Sequence, residues 1–201
     1  MGAMTATVEP AGLPPGRALT VADLEAMPDD GHRYELLDGA LIVSPAPGRS
    51  HQRVVVRLTV LLDSLTPPDV EVLVAPFAVR PQGHSPRSEQ RTELQPDVLV
   101  ALDADLTERD LPVPPLLAVE VLSPSTRLID LNLKKAAYER MGAASYWVVD
   151  PVSAELWVFE LGDDGAYRLV AHVTGDETFA AQLPFPVTIR PADLLSPPSH
   201  R

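Results

Sequence analysis

The chain contains no cysteine and only two lysines, Lys134 and Lys135. Without thiols it can form neither a disulfide nor a thiolate metal centre, and this fits a reducing compartment, so a cytoplasmic protein is expected. No apolar run approaches the roughly 18 residues that a membrane-spanning helix needs. The N-terminal stretch has neither the basic nor the apolar segment of a secretory leader, so a soluble protein with no membrane partner is expected. Positive charge is also scarce: 16 basic residues face 28 acidic ones, for a net charge of −12. Sequence-independent wrapping of nucleic acid depends on lysines and arginines displacing counterions. The surface as a whole therefore excludes it, and any phosphate contact must be local. A site that uses metal ions meets that requirement, because the ions bring cationic charge to the phosphate.

A chain of 201 residues with 45% hydrophobic composition can bury a full core, and one domain is expected. Residues 1–18, rich in Pro, Gly and Ala, read as a disordered lead-in, 19–195 as the domain, and 196–201 as a disordered tail. Thr20 caps a short helix that runs through Met27. Arg33 to Leu37 and Ala40 to Ser44 flank Asp38-Gly39, a hairpin signal, and this hairpin carries Glu35. Apolar spacing predicts a helix from His51 to about Leu65. Val70 to Val79, Pro96 to Leu102 and Leu116 to Leu122 read as central strands. A helix follows over Arg127 to Met141, ended by Gly142, then a hairpin of Ser145 to Val149 and Glu155 to Leu161, and one or two edge strands in the tail. The order predicts an α/β (α+β) domain with a mixed sheet flanked by helices.

Chemistry concentrates at three places. Asp97 and Glu120 are carboxylates embedded in apolar strand runs, and Glu120 in particular is an expensive residue to bury without a role. Both lysines lie just downstream. On a helix of about 100° per residue, Lys135 faces Glu139 on the polar side, and Lys134 falls beside Leu131, Tyr138 and Met141 on the apolar arc. Lys134 is then either a catalytic amine or the partner of Asp130 one turn earlier. Two acids and an amine near the ends of neighbouring strands suit metal-assisted phosphodiester hydrolysis.

Local positive charge appears at Arg49, Arg53 and Arg57, one stripe of a helix, and at Arg80, His84, Arg87 and Arg91 in a polar loop. Each is either a solvated face or a phosphate contact. His51 reads as a helix-opening surface histidine that could touch substrate phosphate, and Ser123 and Thr126 as capping hydroxyls. Tyr146 and Trp147 read as core.

The segments Tyr34-Glu35-Leu36-Leu37-Asp38-Gly39, Pro96-Asp97, Glu120-Val121-Leu122-Ser123-Pro124-Ser125-Thr126, Asp130-x3-Lys134-x3-Tyr138 and Tyr146-Trp147-Val148-Val149-Asp150-Pro151 occur in one order. In that order they resemble the Uma2 family, a branch of the PD-(D/E)XK restriction-endonuclease-like superfamily, over roughly Leu19 to Leu195. The resemblance implies a restriction-endonuclease-like core and a Mg²⁺ or Mn²⁺ site. It implies Asp97, Glu120, the Val121 backbone carbonyl and Glu35 as metal ligands, and Lys134 as the amine. The superfamily lysine normally follows the glutamate by two positions, where this chain has Leu122, so the amine is supplied from the next helix.

The leading expectation is thus a metal-dependent endonuclease acting on nucleic acid, DNA before RNA, with Glu35, Asp97, Glu120 and Lys134 catalytic and His51, Arg49, Arg53 and Ser123 at the substrate. A homodimer is expected by analogy with the superfamily. The alternatives are a non-catalytic module of the same fold for protein–protein assembly, which the acidic charge favours, and a metal-dependent hydrolase of another phosphate ester.

Overall fold

The computed structural model describes residues 17–81 and 85–195. The expected lead-in up to residue 16, the tail from 196 and His84 lie outside the described residues. Strands form where valines, leucines and aromatics run together, since such side chains pack on a pleated surface. β1 (Arg33–Leu37) and β2 (Ala40–Ser44) make the expected hairpin. Asp38 and Gly39 both take positive φ, 51° and 84°, the turn whose twist matches that of the strands.

Val70 to Val79, expected as one strand, is two: β3 (Val70–Val74) and β4 (Ala78–Val79). Pro76, between them, has no N–H to continue a ladder. There follow β5 (Val98–Leu102), β6 (Asp110–Leu111), β7 (Leu117–Val121), β8 (Ser145–Asp150), β9 (Glu155–Leu161) and β10 (Tyr167–Thr174), then the short β11 (Phe179–Ala181) and β12 (Val187–Ile189). Six strands form the central sheet in the order β10-β9-β8-β7-β5-β3. All neighbours in it are antiparallel except β7 and β8, so the sheet is mixed. The tail adds more than the one or two edge strands expected, because β11 and β12 form a hairpin of their own.

α1 (Val21–Leu24) stops short of Met27, and Thr20 and Asp23 form a reciprocal capping box at its start. α2 (Arg49–Asp63) packs Val54, Leu58 and Leu62 on the sheet. The helix between β7 and β8 begins at Arg127, passes through a π-helical segment, Ile129–Lys134, and continues as α3 (Lys135–Met141), ended by Gly142 at φ 87°. A parallel pair needs such a crossover. α4 (Pro191–Leu195) lies against α2.

Alternation along β7 sorts its side chains. Leu117, Val119 and Val121 join the core under α2, whereas Ala118 belongs to the core under α3. Glu120, two residues on from Ala118, points to that second face. Tyr146 and Trp147 are fully buried in β8, as expected of core residues.

Candidate active site

The register of β5 and β7 sets Val98 opposite Val119, so Asp97 stands opposite Glu120 at the end of the pair. The β1 hairpin is docked there by two backbone bonds of 2.8 Å between Leu36 and Glu93. Gln95 N also donates to Glu35 Oε1 at 2.8 Å. The helix after β7 then lays Asp130 and Lys134 over the same spot. Glu35, Asp97, Glu120, Asp130 and Lys134 come from four separate segments, and each is at most 2% exposed.

Lys134 is the hub. Its Nζ donates to Glu35 Oε2 at 2.8 Å and to Glu120 Oε1 at 3.0 Å, and Asp130 Oδ1 lies 3.8 Å away. Of the two readings open in the sequence, the approach to Asp130 is present, but with the side chain 1% exposed and enclosed rather than reaching to solvent. It faces Asp130 and bonds Glu35 and Glu120. Burial acts to strip its proton, but Glu120, Glu35 and Asp130 outweigh burial and hold its pKa above the ordinary lysine value. Glu120 moves the opposite way to a paired acid: burial pushes its pKa well up, the ammonium of Lys134 opposes this, and Asp130, Asp97 and Glu35 add to the rise. Asp130 is raised to about 6, chiefly by burial.

Asp97 is fully engaged. Arg33 Nη1 donates to Oδ1 at 2.7 Å, His51 Nε2 lies 3.0 Å from Oδ2, and Val121 N donates to Oδ2 at 2.8 Å. Burial raises its pKa, but the His51 hydrogen bond, Arg33 and the Val121 N–H more than compensate and hold it at about 2. His51, read from the sequence as a surface histidine, is instead a partner of Asp97 with its side chain 12% exposed. Arg33 was not singled out by the sequence. Its signal was the i, i+2 spacing to Glu35 on a short strand, which sends both side chains to one face.

Asp97 and Asp130, with Arg33 and His51, line a cleft of about 1000 Å³. Arg33, His51, Asp97, Ser123, Thr126 and Asp130 line it on one side, and Val55, Val56, Val60 and Val74 of α2 and β3 on another. Glu35, Glu120 and Lys134 lie behind that lining rather than on it. Ser123 Oγ accepts from Thr126 N at 3.2 Å, the expected capping contact. Arg49 and Arg53 are not brought to the cleft. Arg53 donates to Leu195 O at 3.1 Å and Arg57 to Asp193 O at 2.9 Å, so two members of the stripe tether α4. Of the loop cations, Arg80 is buried and bonded to Glu93 and Asp110, at 2.5 Å and 2.7 Å, a structural ion network.

The donors suit a hard divalent cation in kind, because oxygen ligands predominate and four carboxylates face two fixed cations, Arg33 and Lys134. Among the described residues no three His, Asp or Glu side chains are poised together to hold a metal ion. N–H donors bond both oxygens of Asp97, and Lys134 bonds Oε1 of Glu120. Two buried polar atoms at this site, His51 Nδ1 and Asp130 Oδ1, have no hydrogen-bond partner.

Comparison with known proteins bears on the fold and the family. A solved structure from Anabaena variabilis ATCC 29413, titled a "putative nuclease belonging to DUF820", superposes with a TM-score of 0.67 at 16% identity, covering 88% of this chain and 97% of that one. At that identity the likeness concerns the fold. Among curated proteins none matches the chain. The family model Uma2, described as "Putative restriction endonuclease", matches residues 21–194, and the chain belongs to that family.

Proposed function

We propose that the protein is a metal-dependent endonuclease of the cytoplasm that hydrolyses phosphodiester bonds, with DNA as substrate, carried by a single domain over 19–195. The observation that supports this most is the convergence of Glu35, Asp97, Glu120 and Lys134 beneath one cleft. Asp97 and Glu120, with the Val121 carbonyl and Glu35, would hold Mg²⁺ or Mn²⁺. Such an ion supplies Lewis acidity toward a phosphodiester oxygen and a nearby water. The chain's own contribution is positioning and charge. Lys134, enclosed behind the floor, keeps Glu35 and Glu120 oriented. Arg33, which lines the cleft, would offer guanidinium N–H groups to a phosphate oxygen there, and His51 would hold Asp97 in place. Ser123 stands at the rim. Two copies acting as a homodimer would cut both strands of a duplex.

The test is a calorimetric Mn²⁺ titration joined to nicking of a circular DNA by the same preparations. Wild type is expected to bind Mn²⁺ saturably and to nick, and Asp97→Ala and Glu120→Ala to do neither while remaining folded. Absence of both properties in wild type would sink the proposal. It would favour the non-catalytic assembly module, a reading that the internal pairing of the buried acids supports.

A further inference from the structure

Arg33 occupies an oxygen of Asp97 that a bound metal would need. Its Nη1 lies 2.7 Å from Asp97 Oδ1, and its Nε lies 3.8 Å from Glu35 Oε2, so it bridges two of the acids assigned to the ion. The side chain keeps 23% exposure, whereas Asp97 and Glu35 keep 3% and 0%. Arg33 lines the cleft. Lys134 is 1% exposed and bonded to two carboxylates, so it cannot leave without unpacking its helix. Of the two cations fixed in the cluster, Arg33 is the one with a way out.

A buried carboxylate cluster without a counter-cation is unstable, because like charges in a poorly solvated site repel and each carries a desolvation cost. Arg33 meets that need when no divalent ion is bound. An ion on Asp97 removes the need, and the same oxygen cannot serve the guanidinium and the ion at full strength.

We infer that Arg33 is the exchangeable counter-cation of this site: it holds Asp97 until Mg²⁺ or Mn²⁺ displaces it, then turns its guanidinium to a substrate phosphate in the cleft. This rests on Asp97 being a metal ligand. A guanidinium suits the second task, since its planar fork of N–H donors matches phosphate oxygens. Exchange also concentrates charge. The divalent ion replaces Arg33 at Asp97 while Arg33 stays beside it, so positive charge gathers at the phosphate in a chain whose net charge is −12.

The test compares Mn²⁺ binding by calorimetry in wild type, Arg33→Met, Arg33→Lys and Asp97→Ala, each as the full chain. It then measures binding of a fluorescent duplex oligonucleotide at saturating Mn²⁺ by anisotropy. Arg33→Met is expected to bind Mn²⁺ at least tenfold more tightly than wild type, yet to bind the oligonucleotide severalfold more weakly. Arg33→Lys keeps a cation with a looser, single-point hold, so it remains informative if the methionine variant does not fold. It is expected to bind Mn²⁺ several times more tightly than wild type. Equal or weaker Mn²⁺ binding by the folded Arg33 variants, with binding still lost in Asp97→Ala, overturns the role of Arg33 alone. No Mn²⁺ binding in wild type or in any Arg33 variant overturns the metal assignment, and this inference with it.

Discussion

At the scale of single residues, Lys134 sets the stability of the site. Its ammonium serves two carboxylates that are fully enclosed, so its removal strands both. Lys134→Met is expected to cost about 3–5 kcal/mol of unfolding free energy, the usual penalty for breaking a buried pair from one side, read by urea denaturation at pH 7. Glu120→Gln keeps a side-chain oxygen for the Lys134 ammonium, which retains Glu35, and relieves the repulsion from Asp130, Asp97 and Glu35, so it is expected to cost less than Lys134→Met in the same measurement. Asp130 gives a pH signature. Its folded pKa of about 6 lies above the unfolded carboxylate value, so between those values the folded chain retains a proton that the unfolded chain has released. Its contribution to stability therefore falls as pH rises through that window, by at most about 1.4 kcal/mol per pH unit, and is level above it. Asp130→Asn is expected to flatten this slope, measured by denaturation from pH 4 to pH 7, and an unchanged slope would refute the assignment. Glu120 and Lys134 were legible in the sequence because each is a charged residue on an apolar arc or strand. Arg33 and His51 were not, because their roles depend on Asp97, which is 64 and 46 residues away along the chain.

At the scale of elements, the hairpin of β1 and β2 positions Glu35, and its turn is tightly constrained. A Cβ on Gly39 would stand 2.6 Å from Ala18 Cβ and 3.3 Å from Leu19 O, at a φ of +84°. Gly39 also donates to Arg91 O at 2.7 Å and accepts from Leu19 N at 2.9 Å, so little can give way. Gly39→Ala is expected to destabilise by roughly 2 kcal/mol or more from backbone strain and overpacking, measured by thermal unfolding, with weakened Mn²⁺ binding as Glu35 shifts. Asp38-Gly39 made this hairpin legible, since those residues favour one turn type. The strand break at Pro76 was a local signal passed over within an otherwise valine-rich run. The π-helical segment over Ile129–Lys134 was not legible. A uniform α-helix also turns Lys134 inward, but Leu133, apolar by type, is 56% exposed.

At the scale of the whole molecule, the acidic surface and the docking of α4 decide what the remaining arginines do. Arg53 and Arg57 bond the carbonyls of Leu195 and Asp193, so Arg53→Ala is expected to lower stability by about 1 kcal/mol, a charged hydrogen bond to backbone. It should leave oligonucleotide affinity unchanged, and a selective loss of affinity would restore Arg53 to the substrate. With a net charge of −12, the chain is expected to bind a duplex oligonucleotide only when Mn²⁺ is present, and to release it on chelation. Anisotropy with and without chelator checks this. The mixed sheet was legible at this scale from element order, whereas the cleft was not, because it lies between segments distant in sequence. The bond from Lys134 to Glu35 spans 99 positions, and this orders events during synthesis. The hairpin bearing Glu35 leaves the ribosome long before its amine exists, so that carboxylate must stay hydrated until the chain has grown past the helix. The cluster therefore cannot close before residue 134 has been made, and a polypeptide truncated before Lys134 carries the acids without the means to bury them.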